Sequence, residues 1–297
     1  MPEQEPSFSV LKTRTRRVGN FRSIGAILID NGILAAEDAE RVLHYQKKHG
    51  LRFGDAAVKL GLLSKADVQK ALSQQYDYPY LMTGNRQVSD EVVAAYSPFS
   101  PLVEQLRVLR SQLMLRWFDS TTGRQALTIA SPESGEGRSF IAANLAVVFS
   151  QLGERTLLID ADMRHPCQHH LFRLDNKQGL SSLLAGRAHL AAAVKRVEGL
   201  LGLSILPAGP LPPNPLELLS RSTFQALLDA AKKHFDIMIV DSPPGNDTAD
   251  AQATTVATQG ALILARRNVT SIASLQALTH TLQHSGGIVV GSLLNNG

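Results

Sequence analysis

The sequence predicts an α/β fold, a largely parallel sheet with helices on both faces, preceded by a small all-α repeat module. Apolar strand-like runs alternate with helical patterns from Gln125 onward, which is the signature of parallel strands joined by crossover helices. The first eighty or so positions instead repeat themselves at a fixed shift with helical periodicity. Composition agrees with a folded chain: 297 residues, 44% hydrophobic and 19% charged, give room for two domains and exclude a disordered tail, a collagen-like fibre or a disulfide scaffold.

Cys167 is the single cysteine, so no internal disulfide forms and a cytoplasmic setting is expected. No apolar run reaches the roughly 18 residues that span a bilayer. Glu3 and Glu5 stand where a signal peptide would be basic, so no export by that route is expected. The formal charge is +4, aromatics are 5% and no run of five Lys/Arg occurs, so no nucleic-acid partner is expected.

In chain order, residues 1–20 read as a basic flexible arm carrying Lys12, Arg14, Arg16 and Arg17. Residues 21–82 form the repeat. Ile24, Gly25, Gly32, Leu34, Leu43 and Gln46 recur as Phe53, Gly54, Gly61, Leu63, Leu72 and Gln75, a shift of 29 positions (54 minus 25). Each copy reads as a short helix stopped by Gly32 or Gly61 in the left-handed region, then a second amphipathic helix. The repeated apolar positions make a mutual core, while Gly25 and Gly54 mark places where a backbone approaches a neighbour or ligand closely. Residues 83–101, punctuated by Thr83-Gly84-Asn85 and Ser97-Pro98-Phe99-Ser100-Pro101, read as a linker. A catalytic domain is expected over 102–297. It opens with a helix over 103–117, and its strands fall at 126–130, 156–160, 203–206, 237–241, 261–264 and 288–294.

The chemistry gathers where these strands end. After the first strand comes Ser131-Pro-Glu-Ser-Gly135-Glu-Gly137-Arg138-Ser139, then a helical run over 142–150. A strand, a glycine turn and a helix start form a phosphate loop: the glycines let backbone N–H groups converge on an anion, and the helix start adds its positive end. Ser139 offers a hydroxyl to Mg²⁺. The loop departs from the common pattern, with Pro132 for its first glycine and Arg138 for its lysine. Asp160, Asp162 and Asp241 end two later apolar runs, and buried carboxylates at strand ends suit Mg²⁺ on a nucleotide.

Together with Asp160-Ala-Asp162-Met-Arg164-His-Pro166, Asp241-Ser-Pro-Pro244 and Gly291-Ser-Leu-Leu-Asn295, this loop resembles the bacterial tyrosine kinases of exopolysaccharide production over residues 97–297. The nearest likeness is to the chain-length-determinant protein tyrosine kinase subgroup. The resemblance implies a P-loop domain that uses ATP and Mg²⁺ to phosphorylate tyrosines. By position, Ser134, Gly135, Glu136, Gly137, Arg138, Ser139 and Phe140 would hold the phosphates; Ser139, Asp162 and Asp241 would serve the metal; and Asp160 would take the tyrosine proton, with Arg138 and Asp162 completing the catalytic set. Glu104, Arg107 and Arg110 match the family's E-x-x-R-x-x-R segment between subunits of a homo-oligomer, or form an ordinary helical surface pair.

The implied partner is a membrane chain-length-determinant (polysaccharide co-polymerase) protein, which would hold a cytoplasmic chain at the inner membrane. The sequence has no tyrosine cluster before Gly297, so the expected acceptors are a partner's tail or Tyr76, Tyr78 and Tyr80. The N-terminal repeat resembles the front module of type II secretion ATPases, some of which bind cyclic di-GMP, leaving that ligand or protein docking open. A zinc site at His165, Cys167, His169 and His170 is not expected from their spacing. Two further readings stand beside the kinase: an ATPase switch of the partitioning and positioning class, and a nucleotide-binding adaptor without catalysis.

Overall fold

A computed structural model of the chain describes residues 22–75, 80–81, 87–119 and 121–296. The basic arm and the expected acceptors Tyr76 and Tyr78 lie outside the described residues. The chain divides into two compact units, Met1–Tyr78 and Pro79–Gly297.

The first unit holds helices α1 (Ile24–Asp30), α2 (Ala36–His49), α3 (Phe53–Lys59) and α4 (Lys65–Gln75). Its repeat is structural as well as sequential. Gly32 and Gly61 adopt φ of +67° and +70° just past α1 and α3. In each copy the chain reverses through the same bond, Ile33 N–H to Leu28 O at 3.0 Å and Leu62 N–H to Ala57 O at 3.1 Å. Ser64 and Asp67 cap α4 reciprocally, the Ser64 amide and hydroxyl donating to the Asp67 carboxylate, while α2 begins at Ala35 without a side-chain cap. Leu28, Val42, Ala56, Ala57 and Leu63 are buried in the shared core. The close approach expected at Gly25 and Gly54 is internal: a β-carbon at Gly25 would lie 3.3 Å from the Phe53 ring, and one at Gly54 would lie 2.5 Å from Val68 Cγ1.

The second unit contains α5 (Val93–Tyr96), α6 (Pro101–Arg116), β1 (Ala126–Ala130), α7 (Arg138–Gln151), β2 (Thr156–Asp160), α8 (Gln168–Leu171), α9 (Leu180–Leu184), α10 (Leu190–Ala193), β3 (Lys195–Arg196), β4 (Leu203–Leu206), α11 (Pro215–Leu219), α12 (Ser222–Ala231), β5 (Ile237–Asp241), α13 (Asp250–Thr258), β6 (Gly260–Arg266), α14 (Ile272–His284) and β7 (Ile288–Asn295). The strands form one seven-stranded sheet in the order β3-β4-β2-β5-β1-β6-β7. All pairs are parallel except β3 with β4, a two-residue antiparallel edge that the sequence reading omits. Alternate side chains go to opposite cores: Leu127, Ile129, Leu158 and Ile239 pack with α7, and Leu157, Ile159, Met238 and Val240 pack with α9, α11 and α12. Burial of both faces explains why these strands read as continuous apolar runs.

The expected linker is corrected in its later part. Val88, Val92, Ala94 and Ala95 are fully buried, so this stretch is a strap across the second unit and not a solvated connection. Two polar side chains of α7 fasten it. Buried Asn144 accepts from Ala94 N–H at 2.9 Å and donates to Glu91 O at 3.1 Å, and Gln151 donates to Ala94 O at 2.9 Å. At its start, Ser89 N–H donates to Leu171 O at 2.7 Å, at the end of α8.

Candidate active site

Parallel strands place their carboxyl ends on one edge of the sheet, and β1, β2 and β5 are adjacent there. The loop from β1 to α7 follows the expected phosphate-loop course. Gly135 and Gly137 take φ of +77° and +95°, which L side chains rarely adopt. Gly137 caps α7 without a side chain, leaving the first-turn N–H groups to a ligand. The neighbouring strands brace the loop from outside. Arg266 donates to Gly135 O at 3.0 Å and Asn295 to Glu136 O at 3.0 Å, and a β-carbon at Gly137 would meet Asn295 Nδ2 at 2.4 Å.

Several loop residues act differently from the sequence expectation. Glu136 is fully buried, and its carboxylate accepts from Glu133 N–H at 2.8 Å and from the Thr270 hydroxyl. It therefore latches the loop to the segment after β6, and only its backbone serves a cradle. Phe140 packs against the hydrophobic core. Arg138 is only 6% exposed, and its guanidinium spans the loop: Nε donates to Ser242 O at 2.8 Å, and Nη1 donates to Ser131 Oγ at 2.5 Å and Glu133 O at 2.9 Å. A lysine ammonium cannot reach both carbonyls with the same spread, so the arginine fixes the loop to the Asp241-Ser-Pro-Pro244 segment. Ser134 and Gly135 are exposed at the tip.

The carboxylates form the second wall. Asp160 and Asp241 are register partners at the ends of β2 and β5, and both are fully buried. Burial pushes the Asp160 carboxyl well above its usual range and the Asp241 charge adds to this, while N–H bonds from Gln168 and Cys167 oppose it. Burial likewise pushes Asp241 up to about 6, against the pull of the Gln168 amide, the Arg138 charge and the Ser139 hydroxyl. Asp162 is nearly buried, and its Oδ1 accepts from Arg164 N–H at 3.2 Å and His165 N–H at 2.9 Å. The Cys167 thiol is held protonated, chiefly by burial and then by the Asp241 and Asp160 charges.

Mg²⁺ fits this oxygen set. Oδ1 of Asp160 and Oδ1 of Asp241 are buried with no hydrogen-bond partner, an arrangement that a hard cation with its water shell would satisfy. Among the described residues no three His, Cys, Asp or Glu side chains close a protein-only metal cage.

Sequence reasoning missed Gln168, the first residue of α8, which touches three parts of the site. Its N–H donates to Asp160 Oδ2 at 3.0 Å, and its Nε2 donates to Asp241 Oδ2 at 2.7 Å and to Ser139 O at 3.1 Å. A glutamine between Cys167 and His169 carries no motif; the one available signal is its place at a helix start just after the second acidic segment. The segment Glu104, Arg107 and Arg110 lies on α6 with intrachain partners: Glu104 pairs with Arg107, Arg107 lies over the Phe99 ring, and Arg110 donates to Val148 O at 2.9 Å.

Comparison with known proteins agrees with this geometry. The family model described as AAA domain matches residues 124–286. The putative tyrosine-protein kinase CapB of Staphylococcus aureus is 34% identical over 200 residues, 67% of this chain and 86% of that protein. The tyrosine-protein kinase etk of Escherichia coli K12 is 32% identical over 203 residues, covering 68% of this chain but 28% of that longer protein. Among solved structures, the chimerical protein CapA2B2 superposes with a TM-score of 0.65 at 32% identity, over 76% of this chain and 97% of that one.

Proposed function

Because the chain belongs to the bacterial tyrosine kinase family, we propose that its second unit moves the γ-phosphoryl group of Mg-ATP onto tyrosine hydroxyls at the edge where β1, β2 and β5 end. The observation that carries this reading is the pair of unpartnered, buried Oδ1 atoms on Asp160 and Asp241 beside a glycine phosphate loop.

The roles follow from phosphoryl-transfer physics, in which positioning and charge neutralisation dominate. The N–H groups from Gly135 to Phe140, with the start of α7, hold the phosphates. Ser139 and Asp162 hold Mg²⁺ directly or through water, and Asp241 orients its shell. Bound Mg²⁺ supplies neutralisation of charge on the phosphoryl oxygens. Asp160 Oδ1 takes the proton from the attacking tyrosine oxygen as the new O–P bond forms and the γ-phosphorus leaves ADP. A carboxyl with a raised affinity for protons suits that task. Arg138 holds the loop in shape.

In keeping with the resemblance, we assign the chain to control of exopolysaccharide chain length and export. It would work with a membrane chain-length-determinant protein that keeps it at the inner membrane. Glu104, Arg107 and Arg110 of α6 are the assigned contact between copies, and the front module is assigned to protein docking. Gly25 and Gly54 are covered by Phe53 and Val68, which argues for docking over cyclic di-GMP. The engagement of Arg138 with three loop acceptors favours one second reading, an adaptor that binds nucleotide without transferring phosphate.

The test is incubation of the purified chain with Mg²⁺ and γ-labelled ATP, with and without the partner's cytoplasmic tail, followed by phosphotyrosine mapping. Tyrosine label that disappears in Asp160→Asn is the expected result. Tight ATP binding with no label in either protein would overturn the kinase reading in favour of the adaptor, or of a switch if phosphate is released to water.

A further inference from the structure

Each of the two buried carboxylates has one oxygen engaged and the other without a partner, and the engaged oxygen is Oδ2 in both. Residue 168 makes a bond to each engaged oxygen. Its main chain binds Asp160 Oδ2, alongside Cys167 N–H at 3.1 Å, and its side chain binds Asp241 Oδ2. The same amide nitrogen donates to Ser139 O in the phosphate loop.

The amide orientation is fixed by its neighbours. Ser139 O and Asp241 Oδ2 are both acceptors, so only the NH₂ end can face them. The residue is fully buried, and its Oε1 has no partner. A methionine or leucine would fill the same volume, yet the chain places there a side chain that costs desolvation unless its donors are used. Both donors are used, and both go to residues of the site.

We propose that Gln168 is a positioning residue that ties Asp160, Asp241 and the phosphate loop together and turns Oδ1 of both carboxylates toward the metal and the tyrosine. This rests on the assignment of Asp160, Asp241 and Ser139 to the Mg-ATP site made above. Gln168 acts through these residues. Without its side chain, Asp241 loses this bond at Oδ2 and Ser139 O loses its link to β5, while the main-chain bond to Asp160 remains.

The test compares the full-length chain with Gln168→Met, of similar length and without donors. The probe is a fluorescent ADP analogue titrated with and without Mg²⁺. Outer-shell ligand partners are worth about 10- to 100-fold in metal affinity or activity, and a fall of that size in the Mg²⁺-dependent gain of nucleotide affinity is expected. Metal-free affinity should stay close to wild type, while the melting temperature falls because Asp241 Oδ2 and Ser139 O lose a donor. In the transfer assay KM for Mg-ATP should rise with that lost affinity and kcat should fall as well, since both the metal shell and the reacting groups lose their orientation.

An unchanged Mg²⁺-dependent gain would overturn the proposal. So would an equal loss of metal-free and Mg²⁺-bound affinity, which marks a plain structural role. Gln168→Asn, which keeps an amide but is one methylene too short to reach both acceptors, carries the same expectations if the methionine variant does not fold. The binding readout needs no transfer, so a chain that depends on Gln168 for Mg²⁺ but labels no tyrosine refutes the kinase reading and leaves this one standing.

Discussion

The front helical unit and the catalytic edge of the sheet are both tightly packed, but they are packed with different materials. Among the described residues of the front unit the buried ones are apolar or glycine, and polar bonds such as Ser64 with Asp67 and Asn31 with Gln74 lie at the surface. At the catalytic edge Glu136, Arg138, Asp160, Gln168 and Asp241 are buried, with oxygen atoms left unpaired on three of them. Leaving buried polar atoms unpaired is costly, and a stable chain tolerates it where a ligand completes the set. The contrast separates a core buried for packing from buried polar groups around the proposed site, even though glycines are prominent in both regions. Gly54 gives way to Val68, whereas Gly137 shapes a turn against Asn295.

The largest expected effect falls on the catalytic side. Asp160→Asn should lower tyrosine phosphorylation by about 10²- to 10⁴-fold, the usual contribution of a positioned acid or base, while Mg-ADP binding persists. A normal rate in the labelled-ATP assay would remove Asp160 from the mechanism.

Asp241→Asn sharpens the contrast by setting function against stability. The Asp241 carboxyl is pushed from 3.8 up to about 6, so the fold prefers its protonated form. The metal-free wild type therefore loses this group's stabilising contribution as pH rises from below 3.8 through about 6. The asparagine variant does not. In EDTA, the melting-temperature advantage of Asp241→Asn should widen across that window, and its nucleotide affinity should respond less to Mg²⁺ than that of the wild type. A constant gap from acid to neutral pH would contradict the burial argument.

Arg138→Lys should destabilise the loop: Glu133 O keeps its bond from Ser131 Oγ, but a lysine that does not reach Ser242 O leaves that buried carbonyl unpaired, at about 1–3 kcal/mol. Chemical denaturation of the second unit would show this as a lower midpoint, and an unchanged midpoint would show that the guanidinium bonds do not hold the loop.

The smaller effects belong to the front unit. Gly54→Ala forces a β-carbon to within 2.5 Å of Val68 Cγ1, and overpacking of this kind costs about 1–3 kcal/mol. Gly25→Ala meets the Phe53 ring at 3.3 Å, a milder contact that the roughly 0.5–1 kcal/mol helix preference of alanine over glycine offsets. Helix melting followed by circular dichroism should rank the pair in that order; equal effects would mean that the two repeat copies are packed alike.

Much of this was readable in advance, for a physical reason. Strands β1, β2, β4, β5 and β6 appear as apolar runs because both faces of the sheet are covered there, whereas the edge strand β7 is apolar but partly exposed. Gly32 and Gly61 announce helix ends because only glycine takes that backbone easily. Asp160 and Asp241 stood out as charges at the ends of apolar strands. Features that depend on distant partners left no local trace. Gln168 reaches Asp241 across 73 positions, and the strap reaches Asn144 across 50. The strap's Pro and Ser content looked like a linker because periodicity reports the local chain and not what later folds over it. The two-residue β3 is too short to show an alternation at all.

The strap also bears on the order in which the chain is made. Ala94 leaves the ribosome 50 residues before Asn144, the side chain that will hold it. Its apolar Val88, Val92 and Ala95 must therefore wait in solution until α7 and the sheet beneath it have been synthesised. At typical synthesis rates of about 5–20 residues per second, that wait lasts seconds, long enough for a chaperone to engage it. A gene fragment begun at Pro101, where α6 starts, would yield a catalytic unit whose α7 presents Asn144 and Gln151 to water, and the apolar floor beneath the missing strap would become a site for aggregation.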